Sequence, residues 1–117
     1  IAYRMSSRFS DAAHSFKMAV QLNPSSAEWH YNLALVYFDT MQYHESCQSL
    51  QETISLKPNF AEGHYMLGQI YLETFFEVKK GVYHLSKAEK LFTKLEDFDR
   101  LARVRALLGN KNKDLFL

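Results

Sequence analysis

Cysteine is nearly absent. Cys47 stands alone, which excludes an internal disulfide framework and any thiolate cluster for zinc. A lone thiol fits a reducing, cytoplasmic setting. No run approaches the roughly 18 apolar residues of a membrane-spanning helix. No basic, apolar and small-residue leader is present either. Because the chain begins at Ile1 rather than Met, as a processed form or a fragment would, that lack excludes nothing about targeting. Glycine-rich phosphate loops, a nucleophile elbow and paired carboxylates at helical spacing are also missing. An enzyme is therefore not expected, nor a cofactor, nor a metal.

What is present is ordinary in amount and uneven in placement. With 47% apolar and 23% charged residues over 117 positions, one soluble globular domain is expected. The net charge of +1 hides two opposed halves. Residues 1 to 78 carry Arg4, Arg8, Lys17 and Lys57 against eight acids, a net of −4. Residues 79 to 117 carry ten bases against five acids, a net of +5. The halves would attract different surfaces.

The chain also repeats itself. LNPSSAEWHYNLALVY from Leu22 is echoed by LKPNFAEGHYMLGQIY from Leu56, and Pro24 and Pro58 are 34 residues apart. Segments with such a period stack because one unit alone cannot bury its apolar face. His64, Leu67, Gly68 and Tyr71 fall at i, i+3, i+4, i+7, as do His30, Leu33, Ala34 and Tyr37 one period earlier. Each set is one stripe of a helix. A turn-prone break, Asp39 to Gln42, precedes a second periodic run through Tyr43, Cys47, Leu50 and Ile54. That run stops before Pro58, which disfavours helix in the residue ahead of it. Each unit thus reads helix, turn, helix, turn, with Ala34 and Gly68 allowing close helix approach.

This pattern resembles the tetratricopeptide repeat, whose period is 34 residues. The residues that carry the resemblance are His64, Leu67, Gly68 and Tyr71 for the first helix of a unit, and Ala12, Phe16, Ala19 and Pro24 for the second. Tyr3 falls where Tyr37 and Tyr71 stand. The resemblance covers residues 1 to 74 and implies an all-α fold of antiparallel helix-turn-helix repeats stacked as a right-handed solenoid. About seven helices or pieces of helix are expected. The expected divisions are a partial repeat at 1–25, a full repeat at 26–60, a repeat with an insertion of about eight residues at 61–96, a capping helix at 97–110 and a tail at 111–117.

Two departures qualify the resemblance, and a terminal helix follows it. Ser46 and Thr53 occupy places where the family favours alanine, which is expected to loosen packing. In the third unit the small residue opening the second helix should fall near Lys80, and Ala88 is taken for it, with Phe92 four residues on. The difference, TFFEVKKG or thereabouts, is about two helical turns, so one added turn on each paired helix is expected. Finally, Leu101, Val104 and Leu108 give a terminal amphipathic helix, with acids Glu96, Asp97 and Asp99 near its start and Gly109-Asn110 as its stop.

Five histidines invite a chemical reading. His30 and His64 sit on equivalent helices whose axes would lie ~8–10 Å apart, too far for a shared small ion with bonds of about 2 Å. Packing is the simpler role. His44 and Cys47 are i, i+3 neighbours, yet no third group is fixed beside them.

A second stripe on the first helices is more informative. Tyr31, Asn32, Leu35, Phe38 and Asp39 lie away from the Leu33–Tyr37 stripe, and Tyr65, Gln69, Leu72 and Glu73 match them one period later. By resemblance this face lines a concave groove that receives a peptide; the alternative is contact with a neighbouring helix. Some proteins of this kind hold a C-terminal carboxylate with Lys, Arg and Asn here. In this chain Asn32 is the one such residue, and Glu28, Asp39, Glu62 and Glu73 would repel a carboxylate. The expected function is a protein interaction scaffold within a larger assembly. Its expected partner segment has apolar or aromatic anchors and some Lys or Arg. Two other readings compete. Self-assembly would use Tyr3, Met5 and Phe9 of the truncated unit. Nucleic acid would use the basic residues from Lys79 to Arg105, although aromatic interleaving for base stacking is not evident.

Overall fold

Pro24 and Pro58 each sit just before a helix start, and in both cases a buried alanine opens the helix. In the computed structural model, which describes residues 2–115 and the side chains of residue 8 and of residues 10–109, six helices follow in chain order. They are α1 (Ala2–Leu22), α2 (Ala27–Asp39), α3 (Tyr43–Leu56), α4 (Ala61–Glu73), α5 (Val78–Leu95) and α6 (Phe98–Leu115). Among the described residues there is no strand. The all-α helix-turn-helix repeat fold expected from the 34-residue echo is therefore present. The chain divides into two compact units, Ile1–Pro58 and Asn59–Leu117.

In the first unit α1 packs on α2 and α2 on α3. The expected break between two pieces of helix ahead of Ala12 does not form. Instead α1 runs unbroken for 21 residues. This gives six helices where about seven were expected. Ser26 caps α2, its hydroxyl accepting from the Trp29 amide at 3.3 Å. The two residues expected to loosen packing both find hydrogen-bond partners. The Ser46 hydroxyl donates across to the Ala34 carbonyl on α2 at 2.9 Å, and Thr53 donates to the Ser49 carbonyl at 2.9 Å. Both side chains are fully buried, so these bonds hold groups that would otherwise be costly to bury.

In the second unit α4 packs on α5 and α5 on α6. The core gathers Ala61, Leu72, Leu85, Ala88, Phe92, Leu101, Val104 and Leu108. The small residue opposite Gly68 is Gly81, not Ala88. A methyl group added at Gly81 would lie 2.5 Å from Leu72 Cγ and 3.1 Å from the Gly68 carbonyl oxygen. Nor are both paired helices longer: α4 has 13 residues, as α2 has, and only α5 grows, to 18 against 14 in α3. Ala27 to Ala61 spans 34 residues and Ala61 to Phe98 spans 37. The extra length lies in α5 and in the turn before it, while the turn after α5 is shorter. Helix α6 passes through Gly109 without stopping and continues to Leu115, so Gly109-Asn110 does not terminate it.

Candidate partner-binding site

On α2 the side chains of Tyr31, Asn32, Leu35 and Phe38 are half-buried, and Asp39 is exposed in the last turn. Phe38 meets Tyr43 of α3 edge to face, with ring centres 5.6 Å apart and planes at 75°. On α4, Tyr65 and Gln69 are half-buried and Glu73 is exposed. Leu72 departs from the expected stripe. It is 1% exposed and belongs to the core of its unit, because it lies one turn after Gly68 on the face that meets α5. Tyr65 has a structural share as well, standing edge to face on Phe92 with centres 6.3 Å apart. The surface that remains is half-buried aromatic, aliphatic and amide, with one exposed acid at the end of each first helix.

The electrostatics are narrower than the sequence count of acids. Glu28 pairs with Lys57 at 3.5 Å, and Glu62 is taken by Arg100 of α6, which also lies 3.7 Å from Asp97. Asp39 and Glu73 make no ion pair among the described residues, and they carry the negative potential of these faces.

The histidines divide. His30 is buried with Nε2 3.0 Å from the Pro24 carbonyl, tying α2 to the turn before it. His64 is 4% exposed and has a partner that the sequence did not reveal: its Nδ1 lies 3.1 Å from Nδ1 of His84 on α5. Tyr71 stacks on His84 at 5.8 Å between centres, and Tyr83 stands against it edge to face at 5.0 Å. Burial, then the neighbouring His64 and Lys87, lower the His84 pKa to about 4. The pair follows from the register of α5, in which Gly81 and not Ala88 is the small residue that meets α4 at Gly68. His44 faces solvent and Cys47 is buried. Among the described residues, no three His, Cys, Asp or Glu side chains gather as metal ligands.

Elsewhere in the first unit, Ser10, Ala13, His14 and Lys17 of α1 line a polar cavity of about 200 Å³ with Tyr37, Thr40 and Gln42. The Lys17 ammonium sits 5.6 Å above the Tyr37 ring. Tyr3, Met5 and Phe9, the expected self-assembly patch, have side chains outside the described residues.

No known family matches the sequence, and no curated protein matches it. Solved structures do resemble it. The type III secretion translocator chaperone SycD of Yersinia enterocolitica is similar with a TM-score of 0.88 at 16% identity, over 97% of this chain and 79% of that one. SycD in complex with a peptide of the translocator YopD gives 0.84 at 18% identity, over 95% and 86%. MamA gives 0.67 at 21% identity, over 96% and 73%. At these identities the likeness is one of fold.

Proposed function

We propose that the chain is a protein interaction scaffold that binds a segment of a partner protein. Its contact residues are, in the first unit, Tyr31, Asn32, Leu35, Phe38 and Asp39 of α2 and, in the second unit, Tyr65, Gln69 and Glu73 of α4, each face taken by itself. One observation carries the reading: α2 keeps Tyr31, Asn32, Leu35 and Phe38 half-buried beside its core stripe, α4 keeps Tyr65 and Gln69 half-buried at the matching places, and each helix ends with an acid that makes no ion pair among the described residues. The complex of SycD with a YopD peptide supports it, since the same fold there holds a peptide. The segment bound here carries apolar or aromatic anchors, which supply most of the binding energy, and Lys or Arg, which Asp39 and Glu73 attract.

The test is selection from a random peptide library on the intact chain, followed by affinity measurements with variants. Leu35→Ala with Gln69→Ala should weaken a selected peptide by on the order of 1–2 kcal/mol. Asp39→Lys with Glu73→Lys should chiefly slow association and flatten its salt dependence. Selected peptides without basic residues, bound equally well by both variants, would refute the reading.

A further inference from the structure

Two of the five lysines of α5 are placed against the interest of the helix that carries them. At about 100° per residue, Lys79, Lys80, Tyr83, Lys87, Lys90 and Lys94 fall within one stripe about 100° wide. It lies opposite Gly81, Leu85, Ala88 and Phe92, which face the core. Lys79 and Lys80 stand in the first turn, where the helix dipole disfavours cations, and that turn holds no acid, the nearest being Glu77 at the N-cap. Lys79, Lys90 and Lys94 make no ion pair among the described residues, while Lys80 pairs with Glu77 at 3.4 Å. Tyr83, 56% exposed, stands in the middle of the stripe with the Lys87 ammonium 5.0 Å from its ring centre. Just ahead of the helix, Phe76 is 75% exposed and held at φ 55°, a backbone conformation costly for a bulky side chain.

We propose that this outward ridge of α5 docks on an anionic lipid bilayer surface, the lysines meeting headgroup phosphates and carboxylates while Phe76 and Tyr83 enter the interfacial layer. The choice of cation supports a phosphate-bearing, diffuse surface over a carboxylate-bearing peptide. The arginines of this unit that pair do so with its own acids, Arg100 with Glu62 and Asp97 and Arg105 with Glu89, as suits their forked geometry. The ridge itself holds only lysines, which act as point charges. A single aromatic in the stripe is too few for the successive base stacking by which single strands are held. A straight ridge ~22 Å long, from 15 steps of about 1.5 Å, presents its charges along one line to a flat partner. Among the described residues no helix is long and apolar enough to cross a membrane, and the contact proposed is with the bilayer surface. This surface lies on a different helix from the proposed peptide contacts, and its test stands apart from theirs.

The experiment is sedimentation of the intact chain with vesicles of phosphatidylcholine, with or without about 30% phosphatidylserine. Each lysine near such a surface is worth about a fivefold change in partitioning at low salt. Lys87→Glu with Lys90→Glu and Lys94→Glu should lower binding to the serine-containing vesicles by about a hundredfold or more, and raised salt should weaken the parent. Arg8→Glu with Lys57→Glu, which also removes positive charge but off the ridge, should change binding only a few-fold. Tyr83→Trp in a Trp29→Phe background should shift its emission to the blue on these vesicles. Lys→Gln at the same three positions repeats the test should the reversed variant fail to fold. Equal binding to both vesicle types, or equal loss in the ridge and off-ridge variants, overturns the proposal. Retention of polyuridylate that depends on the ridge, without vesicle binding, overturns the lipid as its occupant.

Discussion

His84 shows how one side chain ties packing to pH. Its Nδ1 and that of His64 are close enough for one to donate and the other to accept, so the contact holds one proton between two rings. Desolvation and the adjacent His64 and Lys87 keep the His84 pKa at about 4, below the ordinary value of 6.5. As pH falls, the unfolded chain takes up this proton first. The contribution to stability is therefore complete above about pH 6.5 and is lost as pH falls towards 4. Denaturation midpoints measured at pH 7, 5.5 and 4 should fall through that window, and His84→Gln should flatten the slope. An unchanged slope would show that the pair is not what titrates. Tyr71, 8% exposed and stacked on His84, should cost roughly 3–5 kcal/mol when replaced by alanine, read by chemical denaturation. Tyr37 is only half-buried and should cost less.

Among the elements, α5 decides the geometry of the second unit. Gly68 and Gly81 bring α4 and α5 so close that a side chain at either would strike a leucine and a backbone carbonyl. Gly81→Ala should therefore destabilise by about 1–3 kcal/mol, even though alanine favours an isolated helix by up to about 1 kcal/mol. A gain in melting temperature would contradict this packing. The opposite outcome is expected at the end of α2. Met41 is 76% exposed at φ 63°, where glycine would carry no strain, so Met41→Gly should raise stability by some tenths to about 1 kcal/mol.

These elements also show what could be read from the sequence and what could not. The helices α2, α3 and α4 were legible because proline, alanine and the 3.6-residue stripe mark them at a fixed period. The register of α5 was not, since Gly81 and Ala88 both offer a small residue and only contact with Gly68 tells them apart. With that register went the His64–His84 pair and the burial of Leu72. Helix α6 outran its expected stop because a glycine terminates a helix only where the backbone turns left-handed, and Gly109 stays helical.

For the whole molecule, the opposed charges of the two halves can now be assigned to particular faces. Of the acids on α2 and α4, Glu28 and Glu62 are neutralised within their units, which leaves Asp39 and Glu73 at the helix ends. The basic excess collects instead on the outward ridge of α5. On the proposed reading, a basic, aromatic segment goes to the first helices and an anionic surface to α5. The most direct measurement is a backbone amide NMR titration of the intact chain with a library-selected peptide. The reading predicts shift changes centred on Tyr31 to Asp39 and Tyr65 to Glu73, with little change from Lys79 to Lys94. Changes confined to α5 and α6, with α2 and α4 silent, would contradict it.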